Sequence, residues 1–254
     1  MARPQHHGVA HARGCSHLGL STFGRLFPDL EPLFTSDDLI AALGRPGGLM
    51  DTNRASPDSD IPAGYTFFSQ FVDHDITLDT TSKLDSDWVQ DVKKLPNLRS
   101  PSLDLDCVYG FGPEASPHLY DGDSGKLLTG NDTNPNDLAR AKDGTALIGD
   151  PRNDENIFVS QLQLVFLRFH NKLIDAGLEF EEAQRQARYH YQYIVLHDFL
   201  RNICDPEVYH FALENLYRHN YPLKFFPDEH GKIHMPVEFS VAAYRFGHSM
   251  VRNA

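Results

Sequence analysis

Three consecutive ionisable residues, Asp73, His74 and Asp75, interrupt an apolar segment and restrict how that segment can pack. In a helix, Gln70 and His74 share a face because residues four apart are neighbours. The two aspartates then point roughly 100° to either side of the histidine, so the segment must meet three different polar neighbours. Burying such groups is costly unless each is paired. The pattern therefore favours a functional site over the alternative, a capped and partly exposed helix with a satisfied histidine.

The length and charge of the chain restrict its class. The 254 residues suggest one large domain or two small ones, and we predict a flexible arm over residues 1–24 and one domain over residues 25–254. The formal net charge of −12 argues against binding to nucleic acid. No apolar run approaches the roughly 20 residues of a membrane span, and the N-terminus lacks the apolar core of a signal peptide. A cytoplasmic or non-classically secreted protein is therefore predicted. The cysteines (Cys15, Cys107 and Cys204) are predicted to be free or to form at most one bridge.

Apolar residues recur at helical spacing in the second half of the chain and predict a mainly α fold with long irregular loops. Helices are predicted over residues 36–43, 65–78, 154–177 and 181–203, and from residue 236 to the end. Residues 79–150 are rich in Gly, Pro, Asp, Asn and Ser and show little periodicity. An irregular stretch of that length in a compact protein is usually functional or held in place by other contacts.

A second polar motif, Gly149-Asp-Pro-Arg-Asn-Asp-Glu155, adjoins the predicted helix over residues 154–177. Asp150 or Asn153 is predicted to cap that helix, and acidic residues suit its positive N-terminus. Capping does not explain Arg152, because a cation lies there at the unfavourable end of a helix. An arginine held by acidic neighbours is well placed to stabilise developing negative charge.

A third motif lies near the C-terminus, where Arg245 and His248 are three residues apart and so on one face of the predicted last helix. A neutral imidazole is a common iron ligand, and a guanidinium pairs well with a carboxylate, including that of a cofactor. The alternative is a surface Arg–His pair on an amphipathic helix, which this motif taken alone favours.

In the irregular stretch, oxygen-bearing residues occur at every second position: Ser100, Ser102, Asp104 and Asp106. Calcium prefers carboxylate, hydroxyl and carbonyl oxygens, and this rhythm resembles that of a calcium-binding loop. A bound cation would explain how the long irregular segment is held. The alternative is an acidic, solvated strand edge.

Taken together and in this order, the four motifs resemble those of the animal-type haem peroxidases of the peroxidase–cyclooxygenase superfamily. Residues 70–75 resemble the distal-histidine helix and residues 149–155 the distal-arginine segment. Residues 166–171 resemble the His-Asn helix that follows, and residues 244–248 the proximal-histidine segment. The match runs from about residue 25 to the C-terminus, and the character of the sequence is that of a bacterial member. The resemblance implies the helical fold of this family.

The resemblance also implies a haem b cofactor and roles for the residues around it. His248 would ligate the haem iron, and Arg245 would face a haem propionate. His74 would be the distal general acid–base, assisted by Arg152, with Gln70 ordering water or halide near the iron. The implied activity is that of an oxidoreductase that reduces hydrogen peroxide and oxidises an organic donor or a halide, and it suggests a role in the response to oxidative stress.

Two further groups of residues follow from the same resemblance. Asp73 and Glu155 fall where related peroxidases form ester bonds to haem methyl groups, whereas Asn156 replaces the methionine that forms a third link in one branch. The implied calcium ligands are Asp75, Ser100, the backbone carbonyl of Ser102, Asp104 and Asp106. Ser102 stands where the family often has an aromatic residue, and Asp106 replaces a more usual serine; both changes should preserve calcium binding.

The family normally continues well past the proximal histidine, and it supplies an asparagine that hydrogen-bonds that histidine. This chain ends six residues after His248. Because such partners fix the orientation and basicity of a metal-bound histidine, we predict a domain incomplete at its C-terminus, supported by a missing segment or a second chain.

Two rival functions remain open from the sequence. Fatty-acid dioxygenases of the same superfamily have a radical-forming tyrosine three residues before the proximal histidine. Arg245 holds that position here, and Tyr244 lies four residues before His248. The other rival is a non-catalytic fragment that binds calcium or a partner without a functional haem.

Overall fold

A computed structural model describes residues 21–31, 33–51, 59–81, 92–218 and 234–250. The chain divides into two compact units, one formed by residues 27–62 and the other by residues 1–26 and 63–254. Helices make up about 53% of the structure and the sheet is small, which confirms the mainly α prediction. In the described part of the chain, no helix is long and apolar enough to cross a membrane.

The smaller unit contains helix α1, Asp37–Gly44. The Ser36 side chain accepts a hydrogen bond from the backbone N–H of Leu39 at 3.4 Å, as expected of an N-cap residue. Asp37 and Asp38 occupy the first turn, where negative charge is favourable. The helix predicted over residues 36–43 is confirmed.

The larger unit contains the remaining helices. The α-helices are α2 (Gly64–Ile76), α3 (Asp106–Tyr109), α4 (Ile157–Asp175), α5 (Phe180–Ile194), α6 (Leu200–Ile203), α7 (Pro206–Tyr217) and α8 (Val237–Val241). A π-helical segment, Val195–Phe199, joins α5 to α6, so the helix predicted over residues 181–203 forms with one wider turn. Short 3₁₀ helices cover Val92–Lys94, Pro117–Leu119, Gly122–Ser124, Pro151–Asp154 and Ala243–Met250.

Three very short strands hold distant parts of the larger unit together. Strand β1 (Ser21–Gly24) lies between β2 (Pro96–Asn97) and β3 (Met235–Pro236). It pairs antiparallel with β2, with Ser21 opposite Asn97, and parallel with β3, with Phe23 opposite Met235. Residues 21–24 therefore form a strand within the region predicted as an arm, and residues 1–20 lie outside the described residues.

The core of the larger unit forms where α2 packs against α4 and α5. Phe71 is fully buried and stacks on Phe166, with ring centroids 5.1 Å apart. Tyr191 meets both rings edge-on, at 6.1 Å from Phe71 and 5.6 Å from Phe166. Aromatic rings bury large apolar areas and favour such edge-to-face contacts. This packing fixes the position of α2, which carries the Asp-His-Asp sequence.

Helix α4 begins later than predicted. Residues 151–154 form a 3₁₀ helix instead, and Asn156 is the N-cap of α4, because its side chain accepts from the N–H groups of Phe158 and Val159. The prediction that Asp150 or Asn153 caps this helix is wrong: Asp150 caps the 3₁₀ helix, with its side chain accepting from the N–H of Arg152. The predicted end is confirmed, since Gly177 adopts a φ of 91° that glycine tolerates best.

The predicted last helix is also different. It divides into α8 and the 3₁₀ helix Ala243–Met250, because Ala242 has φ −126° and ψ −74° and cannot continue an α-helix. Residues 251–254 lie outside the described residues. Cys107 and Cys204 are free thiols, which agrees with the prediction that the cysteines are free or form at most one bridge. Cys15 lies outside the described residues.

Candidate active site

Helix α2 carries the three consecutive ionisable residues of the candidate site. Phe71 and Val72 pack into the core, while Asp73, His74 and Asp75 are all buried. Because successive residues of a helix are about 100° apart, the three side chains leave the helix in different directions. Each meets a separate group of neighbours, as the sequence predicted.

His74 is held by a buried amide. Its Nδ1 lies 2.7 Å from Oδ1 of Asn153. Burial and then the positive charge of Arg152 lower the pKa of His74 below its usual 6.5, and Asn153, Asp150 and Asp73 offset this only in part. The imidazole is therefore neutral near pH 7 and able to accept a proton.

Arg152 is paired with Asp150 and lies against the C-terminal end of α2. Its Nε donates to Asp150 Oδ1 at 3.0 Å and its Nη2 donates to Asp150 Oδ2 at 2.8 Å. Nη2 also donates to the carbonyl oxygens of His74, at 3.1 Å, and Thr77, at 2.6 Å. Carbonyls at the end of a helix lack partners within it and favour a cation, which accounts for the position of this arginine.

Asp150 is shared by two guanidinium groups. Arg99 donates from Nη2 to its Oδ2 at 2.7 Å, and Arg152 binds the same carboxylate. Burial alone would raise the pKa of Asp150, but the hydrogen bonds and charges of Arg152 and Arg99 outweigh it and lower that pKa below its usual value. This buried ion triad joins residue 99, residues 150–152 and the end of α2.

Gln70 connects the face of α2 that carries His74 to the start of α4. Its Nε2 donates to Oε2 of Glu155 at 3.0 Å, and its Oε1 accepts from Nδ2 of Asn156 at 3.2 Å. The structure thus brings Gln70 and Glu155, two predicted site residues 85 positions apart, into direct contact.

Asp73 contacts the C-terminal motif. Its Oδ2 accepts from Nη1 of Arg245 at 3.0 Å, and its Oδ1 accepts from the hydroxyl of Thr77 at 3.2 Å. The hydroxyl of Tyr244 donates to the carbonyl oxygen of Ser69 at 3.2 Å, so this motif packs along α2. Two residues predicted to contact the haem therefore pair with each other in this structure.

His248 is exposed, and its Nδ1 lies 3.0 Å from the carbonyl oxygen of Arg245. A carbonyl oxygen only accepts, so Nδ1 carries the proton and Nε2 carries the lone pair. Metal-binding histidines usually have this arrangement, in which the second ring nitrogen donates to a backbone carbonyl or carboxylate.

Asp75, the last of the three consecutive ionisable residues, faces a group of acids. It is 0% exposed, and its oxygens accept from the N–H groups of Leu105, at 3.1 Å, and Cys107, at 3.3 Å. Burial and then the charge of Asp106 raise the pKa of Asp75 to about 7. Burial and then the charges of Asp106 and Asp75 raise the pKa of Asp104 to about 10. The carboxylates of this loop are thus close enough to repel one another.

The carboxylate of Asp104 is only partly compensated: the charge of Arg188, whose Nε donates to the Asp104 carbonyl oxygen at 2.7 Å, lowers its pKa but does not outweigh burial and the neighbouring acids. Both of its carboxylate oxygens are buried and have no hydrogen-bond partner among the described residues. Leu105, between the two acids, has a φ of 60°, which is unusual for a residue with a side chain and is typical of a constrained loop. A buried carboxylate without a partner costs free energy that a bound cation would recover.

The remaining predicted calcium residues lie in the same loop. The backbone N–H of Ser102 donates to Oγ of Ser100 at 3.2 Å, and the carbonyl oxygen of Ser102 accepts from the N–H of Asp104 at 3.0 Å. Within the described ranges, no three His, Cys, Asp or Glu side chains are close enough to hold a metal ion as they stand. A cation would require the carboxylates to close around it.

Gly149 joins this loop to the segment of Arg152. A Cβ on residue 149 would lie 2.6 Å from the carbonyl oxygen of Cys107 and 2.9 Å from that of Asp106. Cβ atoms do not approach backbone oxygens this closely, so only glycine allows the two segments to lie this near each other. The glycine of the second motif thus has a packing role.

The segment predicted as a His-Asn helix is the C-terminal half of α4, and its polar residues have structural contacts. His170 is fully buried, with Nδ1 3.1 Å from the hydroxyl of Tyr109 and Nε2 2.9 Å from the carbonyl oxygen of Gly125. Asn171 pairs with both backbone groups of Leu127 at 2.8 Å. These contacts fasten the irregular chain before residue 130 onto α4.

Sequence reasoning missed three residues of the site. Arg99 carried no local signal, because its partner Asp150 is 51 residues away. Asn153 was interpreted as a helix cap, although it contacts His74. Gln163 is one of three polar residues, with Ser160 and His170, among the buried residues of α4, and a polar residue on that otherwise apolar face was the available signal.

The larger part of the chain matches a known family by sequence. A sequence model of the animal haem peroxidase family matches residues 89–254, which is more than half of the chain. The chain therefore belongs to the animal haem peroxidase family, which confirms the resemblance found in the sequence. Bacterial origin stays a prediction.

Two curated relatives support the same assignment. The chain is 29% identical over 180 residues to a peroxidase-like protein from Margaritifera margaritifera. This alignment covers 62% of this chain and 22% of that protein. It is 31% identical over 174 residues to chorion peroxidase from Drosophila melanogaster, with 59% and 21% covered. The aligned part of this chain thus corresponds to about a fifth of each relative.

Solved structures share the fold at lower identity. A fatty acid alpha-dioxygenase from Oryza sativa matches with a TM-score of 0.58 and 21% identity over 92% of this chain and 46% of its own. The enzyme of the same name from Arabidopsis thaliana gives 0.57 and 19%, over 85% and 41%. Peroxidase A from Dictyostelium discoideum gives 0.56 and 16%, over 90% and 55%. These matches confirm the helical haem peroxidase fold.

Proposed function

We propose that this chain forms the distal side of a haem peroxidase active site, which reduces hydrogen peroxide and oxidises an organic donor or a halide. The observation that carries the proposal is the setting of His74. It is a buried imidazole with a lowered pKa, and it lies one helical turn from Gln70, which contacts Glu155. A neutral base beside polar groups from two segments is what proton transfer to and from a bound peroxide requires.

The residues of the chain suit a haem, the cofactor that the family implies. His248 has a lone pair on Nε2 that suits it as the iron ligand, because its Nδ1 donates to a carbonyl. Arg245 is a cation that suits a propionate once it exchanges its present partner, Asp73. Asp73 and Glu155 supply carboxylates for the proposed ester bonds to a haem b.

In this proposal His74 transfers the proton, and Arg152 acts through its positive charge. When bound, haem would supply the iron at which peroxide is reduced and would hold the oxidising equivalents taken from peroxide until the donor is oxidised. Nε2 of His74 would take a proton from one oxygen of the bound peroxide and return it to the other oxygen, which leaves as water. Burial and then the charge of Arg152 lower the pKa of His74 and keep the imidazole neutral, and Arg152 adds positive potential for the negative charge that develops. Gln70 orders water or halide beside them.

The test of this assignment is His74→Ala in the haem-loaded protein. We expect the rate of its first reaction with hydrogen peroxide, followed by stopped-flow absorbance, to fall by about 100-fold or more, the usual scale for acid–base catalysis. Thr66→Ala, two residues from the α2 N-terminus and remote from the His74 contacts, serves as a control that should react normally. An unchanged rate in His74→Ala would exclude His74 as the acid–base.

We also propose a calcium ion bound by Asp75, Ser100, the carbonyl of Ser102, Asp104 and Asp106. The support is the buried carboxylate of Asp104 without a hydrogen-bond partner among the described residues, and the raised pKa values of Asp75 and Asp104. Hard cations take such oxygen ligands and favour the ionised form of each acid. Binding would convert a repulsive cluster into a link between α2 and the loop before α3.

A fatty-acid dioxygenase is the second candidate, because two structural neighbours have that name. The setting of Tyr244 favours the peroxidase. Its hydroxyl donates to the carbonyl oxygen of Ser69, burial raises its pKa, and it lies four residues before His248. Oxygen uptake with linoleate in the absence of peroxide would reverse this preference.

One absorption spectrum distinguishes both enzymes from the non-catalytic alternative, a calcium- or partner-binding chain without a functional haem. A Soret band after haem addition, lost in His248→Ala, supports the peroxidase proposal. Support from a further segment or second chain, the cellular location and a role in oxidative stress stay predictions.

A further inference from the structure

Two buried side-chain amides connect His74 to the backbone of the loop that contains the acids. Oδ1 of Asn153 lies 2.7 Å from Nδ1 of His74, and Nδ2 of Asn153 donates to Oε1 of Gln163 at 2.8 Å. Nε2 of Gln163 donates to the carbonyl oxygen of Cys107 at 3.3 Å. Asn153 and Gln163 are both 0% exposed, so their polar groups depend on one another.

The last acceptor in this series of hydrogen bonds, the carbonyl oxygen of Cys107, determines the direction of every bond in the series. A backbone carbonyl can only accept, so the group of Gln163 that faces Cys107 must be its NH₂. The oxygen of Gln163 then faces Asn153 and requires the NH₂ of Asn153 as its donor. The oxygen of Asn153 is left facing His74, and it requires a donor there. Turning either amide over would place two acceptors together in a buried setting, which is costly.

We infer that Asn153 is a positioning residue that holds His74 in the tautomer protonated at Nδ1, and that Gln163 fixes the direction of the Asn153 amide. The effect of this tautomer on the reaction rests on the proposed function of His74. The tautomer itself follows from the hydrogen bonds.

The consequence is that the lone pair of His74 is on Nε2, the nitrogen opposite the one that Asn153 engages. Among the described residues, no hydrogen bond reaches Nε2, so it is available to a substrate proton. When Nε2 takes that proton, Nδ1 keeps its own, and the contact with Asn153 does not change. The proton can therefore be received and returned without rearrangement of the amides behind the ring.

The tautomer is measured directly in the protein labelled with ¹⁵N-histidine. At a pH where His74 is neutral, the ring ¹⁵N shifts distinguish a protonated from an unprotonated nitrogen, and the spectrum of His74→Gln assigns the signals. We expect a protonated Nδ1 and an unprotonated Nε2. A protonated Nε2 with a bare Nδ1 would overturn the inference, whatever the activity of the protein.

Variants separate positioning from general support of the fold. Asn153→Leu removes the acceptor and is expected to show both tautomers. Gln163→Leu frees the amide of Asn153 and should also give a mixture. The control is Gln161→Leu, an exposed position on the same helix. A single Nδ1-protonated form in Asn153→Leu would refute the role of Asn153.

With haem bound, Asn153→Leu should slow the reaction with peroxide by about 10- to 100-fold, the usual cost of removing a residue that orients a functional histidine. The two proposals fail separately: an inactive wild-type protein with the Nδ1-protonated tautomer refutes the peroxidase proposal alone. Should Asn153→Leu fail to fold, the wild-type spectrum and Gln163→Leu still decide the tautomer.

Discussion

Replacing Asp104 by asparagine is expected to change the stability of this protein in opposite directions with and without calcium. Without a cation, the carboxyl of Asp104 is buried beside Asp75 and Asp106 and has no hydrogen-bond partner among the described residues. Asparagine has nearly the same shape and no charge, so it removes this repulsion. With calcium bound, the same change removes a charged ligand.

The magnitude follows from the pKa. Asp104 has a pKa of about 10 in the folded chain against 3.8 as its ordinary value, so at pH 7 folding must protonate it. About three pH units at 1.36 kcal/mol each give a cost of about 4 kcal/mol at pH 7, as an upper limit. At pH 5, closer to the ordinary pKa, the same reasoning gives a cost less than half as large. A raised pKa makes metal-free stability fall as pH rises, so the gain in Asp104→Asn must grow with pH.

The assay is thermal unfolding followed by circular dichroism at pH 5 and 7, in EDTA and in millimolar calcium. In EDTA at pH 7, Asp104→Asn should raise Tm by up to about 16 °C, at 2–4 °C per kcal/mol for a chain of this size. Calcium should stabilise the wild type by about 2.7 kcal/mol at one hundred times Kd, and the variant much less. Asp123→Asn, an exposed acid, is the matched control.

Two results would refute this reasoning. A lower Tm for Asp104→Asn in EDTA would mean that the buried carboxyl already has a stabilising partner. An equal response of wild type and variant to calcium would mean that Asp104 is not a ligand.

Two further predictions concern the haem and the packing of the site. After treatment with haem and peroxide, acid–acetone should leave haem on the wild-type protein and extract it from the double variant Asp73→Asn, Glu155→Gln; full extraction from the wild type would exclude the ester bonds. Gly149→Ala should lower the free energy of unfolding in urea by about 1–3 kcal/mol, because its Cβ would meet backbone oxygens at 2.6 and 2.9 Å. Gly64→Ala, which meets nothing within 4 Å, should be neutral or stabilising; equal losses in both would show that the close approach at residue 149 is not responsible.

Features set by local chemistry were predictable from the sequence. Helix α4 follows an apolar period that ends at a glycine with positive φ, and α1 begins directly after its N-cap residue, Ser36. The Asp-His-Asp sequence predicted three neighbours because three adjacent polar residues on a buried helix cannot share one.

Features set by tertiary contacts were not predictable. The strands β2 and β3 have two residues each, too short for any alternation to appear. Asn153 and Asn156 both suit a helix cap, and only the contact with His74 distinguishes the first from the second. The pairing of Arg99 with Asp150 depends on the path of the chain through 51 residues.

Cys107 contacts both parts of the site through its backbone. Its N–H donates to Asp75 in the acidic cluster, and its carbonyl accepts from Gln163, behind His74. Any ligand that moves this residue by closing the acidic cluster acts on the imidazole as well. By thermodynamic linkage, a ligand at the imidazole must then change the affinity of the cluster for its cation by the same factor. If calcium binds as proposed, the two sites would be coupled, and calcium would change the affinity for a ligand at the imidazole as well as the stability of the protein.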